Sequence, residues 1–240
     1  GVKIETNFVV GRTRRLLAWI LTIAGAIVVV AGILFLVLRP HPRTELPAQL
    51  GPGAASGYSV LLITLDTTRA NRLGCYGNDA VETPALDGLA REGILFADAV
   101  CTAPITLPSH ATMLTGLDPP NHGVRLNGQY VLSPEHETLA EVLRREGYET
   151  AAFISAFVLE SRFGLDQGFD HYDDNIGTAQ SSAIDEELNQ RPAGDVTRAA
   201  TSWLERRAPG RPFFAWVHYY DPHSPYTPPP AFAARYRDRL

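Results

Sequence analysis

Three polar clusters stand where apolar segments of this 240-residue chain give out. Asp66 ends the run Ser59–Leu65 inside LLITLDTTRANRLGCYG, and Arg69 follows it closely. His218 lies near the end of PFFAWVHY, with Asp221 and His223 just after it in VHYYDPHSPY. Between them comes Thr106-Leu107-Pro108-Ser109-His110, which runs into the apolar stretch Ala111–Leu114 and stops at Gly116. Pro108 suits a first helical turn, so Thr106 is expected just before a helix N-terminus, where free amides and the helix dipole favour an anion. A hydroxyl there, beside a carboxylate able to hold a metal, is a sensible nucleophile for a phosphate or sulfate ester. The metal would lower the hydroxyl pKa and neutralise the ester oxygens. Each residue also has a plainer role available. Asp66 and Thr106 can cap a turn and a helix, and the histidines can be hydrogen-bonded supports in a Pro-rich loop.

Strand and helix signals alternate from Tyr58 onward, which predicts an α/β fold with a mainly parallel central sheet. Ligands in such sheets bind beyond the carboxyl ends of the strands, where these clusters fall. Ser59–Leu65 is a continuous apolar run of the kind expected for a strand covered on both faces. Thr150–Ser155 and Pro212–Tyr219 read as further strands. Thr83-Pro84 opens a helix ending at Gly93, and Thr138–Arg145 repeats the pattern up to Gly147. Asp195 is expected to cap a helix over Val196–Arg207, and residues 172–194 read as a polar surface excursion.

Charge is unevenly distributed. Residues 1–43 carry a net +5 and the rest −10, with Lys3 the only lysine. An acidic body without a basic stripe argues against nucleic-acid binding. Leu16–Leu38 is 23 residues without a charge, long enough for a bilayer and longer than a signal-peptide apolar region. Arginines 12, 14 and 15 precede it. The expected organisation is a cytoplasmic basic segment (1–15), a transmembrane helix (16–38), a Pro/Gly/Ala linker (39–57) and an outer domain (58–240). This predicts a single pass through a bacterial-type inner or plasma membrane, N-terminus inside, with the domain periplasmic or extracellular. Cys75 and Cys101 are too few for a disulfide scaffold or a structural zinc site; they read as two buried free thiols, with pairing between them open if the domain lies in an oxidising compartment.

The segments LLITLDTTRANRLGCYG, ETPALDGLAREGILF, TLPSHATMLTGLDPPNHGV, TLAEVLRREGYETAAF and PFFAWVHYYDPHSPY occur in this order from about Tyr58 to Pro230. Together they resemble the N-terminal part of the sulfatase family, within the alkaline phosphatase superfamily. The resemblance implies an α/β sandwich, one or more divalent metals (Ca, Mn, Mg or Zn) and a nucleophile at the start of the LTG helix. It places Asp66 on the first metal-binding aspartate and Thr106 on the nucleophile, which also touches the metal. His110 replaces the arginine of the Cys-x-Pro-x-Arg signature. His223 resembles the active-site histidine of the Asp-Pro-His segment, with His218 a second candidate nearby and Arg69 a candidate anion contact.

The departures from the pattern are informative. Threonine cannot become formylglycine, and Ala103 and Ile105 stand where Pro and Arg would have to follow Cys101, so no formylglycine is expected. Thr67 stands where many sulfatases have a second aspartate. Ile154–Phe157 stand near the family's Gly-Lys-x-His segment. A threonine nucleophile resembles the superfamily's phosphodiesterases and its anchored phosphoglycerol and phosphoethanolamine transferases. No Asp-His-Gly segment occurs before Leu240, which suggests the N-terminal portion of a longer enzyme. The resulting expectation is a membrane-anchored hydrolase or transferase acting on an anionic ester: a sulfated or phosphorylated glycan, lipid or small molecule. A catalytically silent module that binds anionic glycans or partners is the alternative of another class.

Overall fold

A computed structural model describes residues 19, 21–32, 34–35, 51, 53–176 and 190–236. The chain divides into two compact units, Gly1–Ser56 and Gly57–Leu240. In the first, residues 21–32 are helical, with apolar side chains such as Leu21, Ile27 and Val28 exposed. Among the described residues no helix is long and apolar enough to cross a membrane. Leu16 and Leu38, the expected ends of the anchor, lie outside the described residues, as does most of 39–57.

The second unit is built on a parallel sheet. Its strands are β1 (Val60–Leu65), β2 (Glu149–Phe153), β3 (His171–Asp173) and β4 (Phe213–Tyr219), in the order β1-β4-β2-β3. All three pairings are parallel, and Thr64 stands opposite His218. The helices between them are α1 (Pro84–Glu92), α2 (Thr106–Thr115), α3 (Pro119–His122), α4 (Leu139–Arg145) and α5 (Ala193–Arg206), and α6 (Pro230–Tyr236) follows β4. Alternation along β4 separates two cores. Phe214 and Trp216 join Leu107, Ala111 and Leu114 of α2 with Ala140 of α4 on one face. Ala215 and Val217 pack with Val196, Ala200 and Trp203 of α5 on the other.

Local chemistry explains most boundaries. Thr138 and Glu141 form a full capping box at the start of α4: Glu141 N–H donates to Thr138 Oγ1, and Thr138 N–H to Glu141 Oε2. Gly116 ends α2 at φ +70, a conformation glycine adopts without strain. Thr83 precedes α1 as expected, but it spends its hydroxyl elsewhere. Its Oγ1 accepts Gly74 N–H and donates to Asp87.

Three expectations need correction. The β1 run predicts cover on both faces, yet among the described residues β1 is an edge of the sheet and Leu61 and Ile63 are about half exposed (49% and 48%). The α5 core lies over β2 and β4 and does not reach them. Asp195 does not cap α5; the cap is Pro192, and Asp195 lies in the first turn, where its charge still favours the positive helix end. The span 172–194 includes most of β3 and the start of α5, while 177–189 lie outside the described residues.

Gly168 makes a demand that no other residue can meet. At φ +87, a Cβ there would stand 2.2 Å from Glu141 N and 2.6 Å from the Ala140 carbonyl carbon. The turn is held against α4 and β2 by Thr138 Oγ1 donating to Gln167 O (2.9 Å) and Thr150 Oγ1 donating to Gly168 O (2.7 Å). Gly168→Ala is therefore expected to cost about 3 kcal/mol or more through clash and strain. The check is the urea midpoint, and an unchanged midpoint would contradict this packing.

Candidate active site

The carboxyl end of β1, the N-terminus of α2 and the loop after β4 meet around one open cavity of about 620 Å³. Its wall includes Asp66, Thr67, Arg69, Cys101, Thr106, Ser109, Asn127 and His223. Asp66 follows the last residue of β1, and its amide donates to Tyr219 O (2.9 Å), which fixes the strand end against β4. Its side chain is almost fully buried at the base of the cavity. Thr106 is the first residue of α2, one place further in than expected, because Ile105 takes the cap position. Its hydroxyl donates to Asp66 Oδ2 at 3.2 Å.

The anion-binding helix start is narrower than the sequence suggests. Leu107 N–H donates to Asn127 Oδ1 (2.9 Å), Ser109 N–H donates to Ile105 O (3.0 Å), and Pro108 has no amide hydrogen. The amide of Thr106 itself is what the first turn leaves for a ligand. Asn127 was not evident from the sequence. It sits in an Asn-Gly pair that reads as a turn, and it acts as a side-chain cap contributed from 20 residues downstream of Leu107. Thr67 has φ +50, a costly conformation for a β-branched residue, and its Oγ1 donates to Pro222 O (3.2 Å). That bond joins the strand end bearing Asp66 to the loop bearing His223.

His223 lies on the cavity wall. Its ring stacks on Tyr220 (centroids 4.4 Å apart), and Nδ1 stands 2.8 Å from Ser224 O. A carbonyl can only accept, so Nδ1 carries the proton and Nε2 is left to exchange one. Arg69 is exposed on the same wall. His110 and His218 are buried behind the cavity and are not among its lining residues. Asp221 accepts Ala193 N–H (3.1 Å) and serves the start of α5. Cys75 and Cys101 are both free thiols; Cys75 is half-buried, and Cys101 is exposed on the cavity wall, where a buried thiol was expected.

Burial alone would push the Asp66 carboxyl up. The His218 ring beside it, with smaller contributions from His110 and His223, outweighs burial and holds it below the ordinary value. Asp66 is therefore a carboxylate at neutral pH. Burial, then His218, push His110 down to about 3 against the pull of Thr106 O and Asp66, so that imidazole is neutral.

Asp66 and Thr106 offer hard oxygen donors of the kind a divalent cation prefers. Asp66 is a carboxylate kept ionised under burial, and its Oδ2 already receives the Thr106 hydroxyl. In donor type the pair fits a divalent metal. In number it does not complete a coordination sphere: among the described residues no group of three or more His, Cys, Asp or Glu is placed to hold a metal.

The family model for sulfatases matches residues 59–239, so the chain belongs to the sulfatase family. It is 27% identical over 223 residues to an arylsulfatase of Clostridium perfringens, covering 75% of this chain and 46% of that protein. It is 30% identical over 206 residues to an ulvan-active sulfatase of Formosa agariphila, covering 75% and 38%. Among solved structures, the phosphonate monoester hydrolase of Agrobacterium radiobacter aligns with a TM-score of 0.59 at 24% identity, covering 74% of this chain and 43% of that one. A structure in complex with its substrate D-glucosamine-2-N,6-O-disulfate aligns at 0.62 and 24%, covering 75% and 38%. These two structures share the α/β fold. The chain spans less than half the length of these relatives.

Proposed function

We propose that the protein is a membrane-anchored ester hydrolase or transferase that moves a phosphoryl or sulfuryl group through a covalent intermediate on Thr106. The observation that carries this reading is the Thr106 hydroxyl donating to Asp66 Oδ2 at 3.2 Å, at a helix start on the cavity wall. Attack by Thr106 Oγ1 on phosphorus or sulfur forms one bond as the bond to the ester oxygen breaks. A proton held on His223 Nε2 goes to the departing oxygen, and the Thr106 proton leaves toward Asp66. Water or an acceptor hydroxyl then bonds to the phosphorus or sulfur, passing its proton to His223 Nε2, as the bond to Thr106 Oγ1 breaks and Thr106 takes its proton back from Asp66. A divalent metal bound by Asp66 and Thr106 would lower the hydroxyl pKa and neutralise charge on the ester. Arg69 is the wall cation available to hold the anion.

The substrate is an anionic ester: a sulfated glycan, a phosphodiester or a phosphonate monoester. The sulfated glucosamine ligand of one structural neighbour and the phosphonate activity named for another support this range. Threonine in place of a formylglycine precursor supports the phosphorus side of it. The 23-residue uncharged run supports an anchor through Leu16–Leu38, with the catalytic unit outside the membrane. The test uses the full-length protein with 4-nitrophenyl sulfate, bis(4-nitrophenyl) phosphate and 4-nitrophenyl phenylphosphonate, before and after EDTA. Metal-dependent nitrophenol release from any of them supports the reading. Release from none, with no uptake of Mn²⁺, would turn the account to a silent module that binds anionic glycans.

A further inference from the structure

Behind the cavity wall, three ring nitrogens are buried with no hydrogen-bond partner among the described residues: His110 Nε2 and both nitrogens of His218. Such groups are costly to bury and call for a role. The alternation of β4 turns His218 to the same side as Phe214 and Trp216, facing α2, and the register with β1 brings it beside Asp66. His218 Nε2 lies 3.4 Å from Asp66 Oδ2, near enough for strong electrostatic attraction but not aligned as a hydrogen bond. The same Oδ2 receives the Thr106 hydroxyl. His110 Nδ1 is 2.8 Å from Thr106 O, so that nitrogen carries the proton. The two rings meet edge to face at 5.1 Å, and both contact Trp216, whose indole N–H donates to Thr64 Oγ1 (3.1 Å).

We infer that His218 and His110 are a positioning pair. His218 presents Nε2–H to Asp66 and holds the carboxylate under the Thr106 hydroxyl. His110 ties the Thr106 main chain to the same buried cluster. The tautomer follows from charge: a ring atom facing a carboxylate oxygen at 3.4 Å must carry a proton. Neither ring lines the cavity, so both act through Asp66 and Thr106. The inference rests on the reading of Asp66 and Thr106 given above, and its test separates the two.

In the full-length protein, ¹⁵N imidazole spectra should show His218 as the Nε2–H tautomer and His110 as Nδ1–H. Asp66→Asn should shift the His218 Nε2 resonance. These readouts need no turnover. In kinetics on whichever nitrophenyl ester is cleaved, His218→Leu should lower kcat by about 10–100-fold with KM little changed, and Mn²⁺ affinity should weaken over a similar range. His218→Gln keeps an N–H at the same reach and should restore most of both, which a purely packing role would not predict. An Nδ1–H tautomer at His218, an Nε2 resonance indifferent to Asp66→Asn, or equal losses in the Leu and Gln variants would each overturn the pair. Absence of turnover with the expected spectra would overturn the proposed function and leave the pair standing.

Discussion

Thr106→Ala in the full-length protein is expected to cut turnover by about 10⁴-fold or more, the scale on which loss of a covalent nucleophile is felt. The fold should tolerate the change. Thr106 is half-buried, the cap position belongs to Ile105, and the neighbouring Leu107 amide is held by Asn127 rather than by the Thr106 hydroxyl. Asp66 would keep its His218 neighbour and so its charge. Circular dichroism and the thermal midpoint should therefore match the parent within a few degrees while nitrophenol release disappears. Thr106→Ser keeps a hydroxyl at the same point and should retain part of the activity. Turnover persisting in the alanine variant would remove Thr106 from the nucleophile position.

Acid should destabilise the unit Gly57–Leu240 well before the ordinary carboxylate range is reached. His110 ionises near its ordinary 6.5 once unfolded, but burial holds it down to about 3 in the folded chain. Between those values the unfolded state binds the extra proton, so stability rises with pH and is lost as pH falls below about 6.5. For one such group the slope reaches about 1.4 kcal/mol per pH unit. His122, also lowered by burial, acts in the same direction; its Nδ1 accepts Val124 N–H (3.1 Å). Asp66 works in a different window. Its carboxyl is held below 3.8, so the stability it contributes is lost only as pH falls below about 4. Urea unfolding in EDTA at a series of pH values between about 4 and 7 should show this fall. His110→Asn, which can still donate to Thr106 O but does not titrate, should start less stable and show a shallower slope. An unchanged slope in that variant would contradict a buried neutral His110.

Much of the scaffold is legible because its signals are local. The continuous apolar run before His218 is β4 within a residue, and Thr138 with Glu141 encodes its own capping box. The pairing of Asp66 with Thr106 was readable for a similar reason: in an α/β chain, strand ends and helix starts meet beyond the carboxyl end of the sheet. What escaped depends on distant partners. A six-residue apolar strand encodes burial but not which helix supplies it, so the exposure of Leu61 and Ile63 had no local sign. His218 reads as a cavity residue because it precedes Asp221 and His223. Strand alternation sends it inward with Trp216 instead. Asn127 reads as half of an Asn-Gly turn, and only the fold reveals that its Oδ1 ends at the Leu107 amide.

The central claim is a covalent bond to Thr106, and trapping it is the most direct measurement. The full-length protein should be mixed with a cleaved nitrophenyl ester, quenched in acid within the first turnover, digested and examined by mass spectrometry. One added phosphoryl or sulfuryl group is expected on the peptide carrying Thr106, absent from Thr106→Ala. The added group on any other residue, or rapid turnover with Thr106 never modified, would contradict it.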